Sequence, residues 1–239
     1  MLGKEPQHKT APIGMAAAVT FYRSSIGKKV VMALTGLIMI GFVIAHMVGN
    51  LHTFEGAAQL NNYAVFLRTV GGPVLSYEQA LWLERIVLLA AFVLHIVAAY
   101  QLTHQDLASR PVSYARHKIV QATFASRTMR WGGVFILLFV IYHLLDFTFG
   151  TVHPNFRPGD VYANVVGGFQ NPLVSAFYIV AMIVLGLHLY HGTWSVFQTL
   201  GINSAKYNPF FRWLSIIVAI VVAGGMISVP LAVLVGLVR

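Results

Sequence analysis

Five long apolar stretches separated by polar connections dominate the hydrophobicity pattern of the chain. The first, Val30 to Leu51, has no charged residue over roughly 22 positions, close to the ~20 that a helix needs to cross a bilayer. Stretches of this length are too long for outer-membrane β-strands. The pattern therefore predicts an all-α membrane protein, a bundle of five transmembrane helices with spans at about 29–51, 80–102, 131–149, 173–199 and 213–237.

The remaining segments are polar or small-residue connections. Residues 1–20 form a tail without a long apolar core, so no signal peptide is expected, and Met15 is an alternative translation start. Residues 21–239 are predicted to form one transmembrane domain. Within its connections, residues 61–70 suggest a short interfacial helix, and residues 103–130 form a predicted loop rich in Arg and His.

Composition supports the membrane class and excludes several kinds of chemistry. The chain is 57% hydrophobic and 10% charged, whereas soluble domains have about 25% charged residues. Cysteine is absent, which excludes disulfides, thiolate haem ligation, cysteine nucleophiles and iron–sulfur clusters on this chain. The net charge of +9 comes from basic residues flanking the spans, so nucleic-acid binding is not indicated. Their bias predicts a cytoplasmic N-terminus, with residues 103–130 facing the cytoplasm as a docking surface.

Four of the spans each carry a histidine well inside the apolar stretch. At ~1.5 Å of rise per residue, His46 and His143 fall in the outer half of the bilayer. His95 and His188 lie on descending spans and fall in the inner half. His191, three residues after His188, shares its helix face and competes with it.

Paired imidazoles at two levels indicate two b-type haems, because such a haem takes one imidazole on each axial face. Packing histidines are the ordinary alternative for any single position, and a proton relay is disfavoured because mid-span carboxylates are lacking. A haem-free transporter or anchor stays open. Small residues near the histidines leave room for a flat macrocycle, although helix packing also explains them: Gly36, Gly41, Gly49, Gly132, Gly133, Gly186 and Gly192.

The other histidines are expected to be solvated. His52 falls in the outer interface, and His104, His117 and His153 lie in connections. Methionine and aromatic residues within the spans are expected to face lipid or pack against other helices.

With these residues placed, the chain resembles the membrane cytochrome b subunit of succinate dehydrogenase and fumarate reductase, of the single-chain, five-helix, two-haem cytochrome b558 type. The likeness covers about residues 21–237. It is carried by KKVVMALTGL…AHMVGNL around His46, the lone mid-span His95, YHLLDF around His143, and HLYHGTW…LG from His188. In that family a Gly follows the helix-four ligand after four and after thirteen residues, which His188 satisfies with Gly192 and Gly201 and His191 does not.

The resemblance implies a complex in the bacterial cytoplasmic membrane. A flavoprotein subunit would oxidise succinate at FAD, an iron–sulfur subunit would pass the electrons on, and this chain would carry them through two b haems to a quinone, usually menaquinone. The reverse flow would give fumarate reduction. The chain itself would be non-catalytic for succinate. The cytochrome b anchor of a hydrogenase or a formate dehydrogenase is the alternative within electron transfer.

The resemblance also places the inner haem next to the iron–sulfur subunit and suggests further site residues. Candidates for binding haem propionates are Arg85, Arg127 and Arg130, with interfacial anchoring as the alternative for each. A quinone needs an apolar slot and groups that bind or protonate its oxygens. Candidates for that role are Ser24, Ser25 and Lys28 near the cytoplasmic face, and Glu55, Gln59, Glu78 and Glu84 near the outer face.

Overall fold

The computed structural model describes residues 14–109 and 124–239. In this part of the chain the regular structure is helical: α1 (Met15–Arg23), α2 (Ser25–Leu51), a 3₁₀ turn (His52–Glu55), α3 (Ala57–Thr69), α4 (Gln79–Ala108), α5 (Phe124–His143) with a π-helical turn (Leu144–Thr148), α6 (Val161–Phe169), α7 (Pro172–Thr199) and α8 (Asn208–Leu234). Five of these helices are long and apolar enough to cross a membrane, as predicted.

Local signals in the sequence explain several helix ends. The Ser24 hydroxyl accepts a hydrogen bond from the Gly27 amide and caps α2, and the Asn171 side chain caps α7 before Pro172. Position 27 has to be glycine because α1 folds back here, and a Cβ atom would collide with the Phe21 carbonyl. Residues 61–70, suggested to be an interfacial helix, largely coincide with the second half of α3.

The helices run beyond several predicted span limits. Helix α4 continues to Ala108 and α5 begins at Phe124, so both ends of the predicted 103–130 loop are helical. At ~1.5 Å per residue, the 30 residues of α4 extend about 45 Å, longer than the ~30 Å hydrocarbon core. Hydropathy marks where the apolar layer ends, but a helix needs only its own backbone hydrogen bonds to continue into water. Residues 110–123 of the expected docking loop lie outside the described residues.

Two faces of the bundle are useful for locating sites. The N-terminal face holds α1, the end of α4 and the start of α8. Here the Tyr22 hydroxyl donates to Gln101 and Phe197 stacks on Phe211. The C-terminal face holds α3, α6 and the chain end, where the Tyr162 hydroxyl donates to the Arg239 carbonyl.

The bundle interior is built mainly on α7, which packs against α2, α5 and α8. Helices α7 and α8 approach closely at Gly186, where an added Cβ would lie 3.1 Å from that of Ala223. Small residues let membrane helices approach in this way. Helix α4 packs on α2 and leaves large apolar side chains such as Trp82, Leu83 and Leu89 on the surface, as expected for a lipid-facing helix.

Candidate functional site

Two histidine rings meet in the half of the bundle nearer the C-terminal face. His46 on α2 and His143 at the end of α5 have ring centroids 5.8 Å apart, with their planes at 85°. Phe42 stacks on His46 at 5.3 Å, and Phe139 stacks on His143 at 5.8 Å. Because residues four apart share a helix face, each helix presents a Phe–His pair toward the other. We call His46 and His143 the outer pair.

The second pair lies nearer the N-terminal face. His95 on α4 and His188 on α7 have ring centroids 6.3 Å apart, and we call them the inner pair. His95 Nδ1 lies 3.1 Å from the Met32 carbonyl oxygen. A carbonyl can only accept, so Nδ1 carries the proton and Nε2 keeps its lone pair. His191, the competitor of His188, makes no ring contact with His95 among the described contacts.

The two pairs lie at different levels of one bundle. Gly36 on α2 lies against the His95 ring, and His46 follows ten residues later on the same helix. At ~1.5 Å per residue, the levels are about 15 Å apart along α2, roughly half the thickness of the hydrocarbon core. The structure thus brings the four histidines together in the pairs that their sequence depths suggested.

The Nδ1 atoms of His143 and His188 differ in their hydrogen-bond partners. His143 Nδ1 lies 3.4 Å from the Tyr178 hydroxyl, and that hydroxyl donates to Asp146 Oδ2 at 2.9 Å. His188 Nδ1 is buried without a hydrogen-bond partner in the described part of the chain. Sequence reasoning missed Tyr178 and assigned no role to Asp146. Its i+3 spacing from His143 was the available signal.

Each pair could hold a metal ion, such as a haem iron, between its two rings. Two imidazoles that bind one metal ion at about 2 Å each have ring centroids roughly 6 Å apart, as both pairs do. Among the described residues no group of three or more His, Asp or Glu could hold a metal ion. A metal bound by two imidazoles must therefore bring its other ligands with it, as iron in a porphyrin does.

Space between the helices agrees with this donor set. In the described part, α4 with α7 and α2 with α5 are not among the closely packed helix pairs, although their histidine rings meet. All four rings are only partly buried. A Cβ atom at Gly41, Gly133 or Gly192 would meet no other heavy atom within 4 Å. A flat ligand needs such a gap between helices.

Two of the three candidate propionate arginines have other partners. Arg85 stacks over the Trp82 ring at 4.9 Å, the contact of an interfacial anchor. Arg130 forms an ion pair with Asp106 at 2.8 Å and links the extensions of α4 and α5. Arg127 lies on α5, and its side chain is outside the described residues.

Three of the seven candidate quinone residues, Ser24, Glu55 and Glu78, have partners within this chain. Ser24 caps α2, and Lys28 beside it is buried with 8% of its surface exposed. Glu55 lies 3.1 Å from the His52 ring, and Glu78 pairs with Arg68 at 3.0 Å. The remaining candidates, Ser25 and Gln59, are exposed near the N-terminal and C-terminal faces, respectively.

Glu84 is placed differently from these carboxylates. It lines a cleft of about 490 Å³ between α2 and α4, together with apolar side chains and Gly41. Phe42 forms part of the same wall and stacks on His46. The cleft therefore joins a protonatable side chain at the membrane surface to the outer pair through one aromatic ring.

One expectation about the connections is wrong. His153 was expected to be solvated, but only 6% of its surface is exposed. The Asn155 amide donates to its Nδ1, and its Nε2 lies 3.0 Å from the Asn164 carbonyl. The 151–171 connection folds back over the bundle and α6 covers the ring, so a polar residue in a connection became part of the interior.

The same connection is tied to α3 by a charged group. Asp160 Oδ1 accepts hydrogen bonds from the Asn61 side chain at 3.0 Å and from the Ala163 amide at 3.1 Å. These bonds lower the pKa of the Asp160 carboxyl, the Asn61 bond contributing most. The C-terminal face above the outer pair is therefore an ordered cap.

Comparison with known proteins identifies the kind of molecule. A family model described as the succinate dehydrogenase/fumarate reductase transmembrane subunit matches residues 108–226, about half of the chain. The matched segment contains His143 and His188, one member of each pair.

The chain belongs to this family. It is thus a multi-pass membrane subunit of succinate dehydrogenase or fumarate reductase, non-catalytic for succinate itself, that works with the other subunits of the complex. The predicted membership among the transmembrane subunits of succinate dehydrogenase and fumarate reductase is confirmed, and the match favours it over the anchors of hydrogenases and formate dehydrogenases. No curated protein and no solved structure matches the chain.

Proposed function

We propose that this transmembrane subunit holds two b haems and carries electrons from the iron–sulfur subunit to a quinone. His46 with His143 and His95 with His188 would be the axial ligands. The observation that carries the proposal is the meeting of imidazoles from four different helices, two by two, at levels about 15 Å apart. The haems would supply one-electron transfer, and the helices hold their ligands in place.

The direction of transfer follows from charge. Basic side chains at the N-terminal face include Arg23, Lys29 and Arg130, and this bias supports a cytoplasmic location for that face. The iron–sulfur and flavoprotein subunits then dock there, beside the inner pair. Electrons from succinate would then enter at the haem held by His95 and His188 and pass to the haem held by the outer pair, near the opposite face. Fumarate reduction uses the same path in reverse.

The cleft that contains Glu84 is the best candidate for the quinone site. It is mostly apolar, opens between α2 and α4 and reaches the outer pair through Phe42. Reducing a quinone requires a proton as well as electrons, and Glu84 has no ion-pair partner among the described residues. Menaquinone is the expected substrate, as implied by the resemblance to two-haem family members.

The number and position of haems test the proposal directly. The purified complex should show a b-type α band in its reduced-minus-oxidised spectrum and contain two haems per copy of this chain. His46→Ala and His143→Ala should each remove the outer haem and spare the inner one. His95→Ala and His188→Ala should remove the inner haem.

Two matched variants serve as controls. His191→Ala, one turn from His188, and His52→Ala, beyond the end of α2, should each retain both haems. A complex without an α band would support a haem-free anchor, and loss of the inner haem from His191→Ala with retention in His188→Ala would reassign that ligand.

A further inference from the structure

A tyrosine and an aspartate are buried beside the outer pair. Asp146 has 2% and Tyr178 has 5% of its surface exposed. The Tyr178 ring is packed among Phe139, Phe147 and Phe169, with ring centroids 5.0–5.6 Å away. A polar group buried in such apolar surroundings is costly unless it is hydrogen-bonded, and the low local dielectric strengthens the bonds that it makes.

The hydrogen-bond direction can be worked out from the donors. Tyr178 has one hydroxyl proton, which it donates to Asp146 Oδ2 at 2.9 Å. Its oxygen is therefore the acceptor in the 3.4 Å contact with His143 Nδ1. This requires a proton on His143 Nδ1 and leaves the Nε2 lone pair for a metal, as the proposed function demands.

The backbone places Asp146 for this contact. Helix α5 ends at His143 and continues as a π-helical turn over Leu144–Thr148, with Asp146 at its centre. Such turns are rare in proteins, and many of those that are found lie at functional sites. Tyr178 reaches the turn from α7, so the three side chains form a line from α5 to α7 and back.

The inner pair lacks an equivalent carboxylate. There, His95 Nδ1 donates to the neutral Met32 carbonyl, with the Thr35 hydroxyl 3.2 Å away. A carboxylate that acts through a tyrosine makes an imidazole more electron-rich than a peptide carbonyl does. Outer-shell acceptors of this kind fix the tautomer of a ligating histidine and raise its basicity.

We propose that Tyr178 and Asp146 are positioning residues that hold His143 in its Nδ1–H tautomer and lower the reduction potential of the outer haem. The inference rests on the proposed haem ligation. An electron-rich ligand stabilises the ferric state of a haem. Tyr178 and Asp146, which we call the relay, would therefore disfavour reduction of the outer haem and leave the inner haem unaffected.

The test is a redox titration of the purified complex, followed at the haem absorbance. Tyr178→Phe keeps the ring and removes the hydroxyl, and Asp146→Asn keeps the volume and removes the charge. Each should raise the midpoint of the outer haem and leave that of the inner haem in place. Because the two groups act in series, the double variant should shift the midpoint no further than the larger single shift. The His46→Ala complex, which retains only the inner haem, identifies which step belongs to which haem.

Tyr142→Phe is the matched control. Tyr142 lies in the same aromatic cluster, 6.1 Å from the Tyr178 ring, and its hydroxyl has no hydrogen-bond partner in the described part of the chain. The Tyr142→Phe substitution should leave the midpoints of both haems unchanged. An equal shift in Tyr142→Phe, or an unchanged outer midpoint in both relay variants, overturns the proposal.

Haem content separates this inference from the proposed function. A wild-type complex without two haems refutes the ligation itself. If the Tyr178→Phe complex loses the outer haem, its midpoint cannot be measured. The midpoint of the outer haem in the Asp146→Asn complex then decides whether the carboxylate lowers the reduction potential. Loss of the outer haem from Asp146→Asn as well means that the pair serves only to hold α5 against α7, and the electronic role is refuted.

Discussion

Gly36 on α2 faces the His95 ring on α4, and a Cβ atom at position 36 would lie 3.5 Å from the ring's Cε1. That distance is an ordinary van der Waals contact, so an added methyl group fits, whereas a longer side chain would have to occupy the place of the ring. The glycine therefore defines how closely α2 approaches the inner pair.

The first prediction follows from this contact. Gly36→Ala should retain both haems, and Gly36→Leu should lose the inner haem and keep the outer one, because His46 lies about 15 Å further along α2. Haem quantification of the two purified complexes measures this. Retention of both haems in Gly36→Leu would show that His95 is not a ligand at the position described.

The second prediction concerns Glu84 and the quinone. Glu84→Gln should reduce succinate:quinone activity by about 10²-fold, since a positioned proton donor contributes roughly 10²–10⁴-fold. Haem content and succinate oxidation with an artificial dye should be unchanged. The histidine ligands and the succinate-oxidising subunit both come before the cleft in the proposed path of electrons. If Glu55→Gln or Glu78→Gln abolishes quinone reduction and Glu84→Gln does not, the quinone site lies elsewhere on the C-terminal face.

The third prediction concerns the ordered cap and its pH dependence. Asp160→Ala removes a helix cap and the bond to Asn61, so amide exchange in residues 151–171 should increase about fivefold, corresponding to ~1 kcal/mol. The pKa of Asp160 is lowered in the folded chain. Its stabilisation is therefore present above the ordinary carboxyl pKa of about 3.9 and is lost as the pH falls through the lowered value.

Hydrogen exchange at several pH values, corrected for the intrinsic rate, checks this dependence. Asp160→Asn keeps an accepting oxygen without the charge and should lie between the wild type and Asp160→Ala at neutral pH. The wild type and Asp160→Asn should converge in acid. Wild-type exchange that stays slower than that of Asp160→Asn throughout the acid range would contradict the role of the carboxylate.

The fourth prediction is the orientation of the chain. The absence of cysteine gives a clean background for single-cysteine labelling. With a membrane-impermeant maleimide, Asn155→Cys on the C-terminal face should be labelled in intact cells. Asn203→Cys in the connection before α8 should be labelled only after permeabilisation. The opposite pattern would invert the proposed direction of electron transfer.

The sequence anticipated the helices and the pairing well, because both depend on distance along the chain. Apolar length sets the number of spans, and a constant rise converts the positions of His46, His95, His143 and His188 into depths. It failed for His153, where a polar residue in a connection was assumed to be solvated. The folding of α6 over that ring is a long-range event that no local pattern signals.

By itself, the amino-acid sequence determined the five spans, the two levels of histidines and the family to which the chain belongs. Tertiary structure alone decided that α4 and α5 continue past the apolar layer, that Glu84 opens into a cleft beside Phe42, and that Tyr178 connects Asp146 to His143. The physical reason is that lipid-facing and buried surfaces are both apolar in a membrane helix, so the sequence leaves open how each helix is rotated about its axis. Rotation selects the neighbours of every side chain, and those neighbours determine the chemistry.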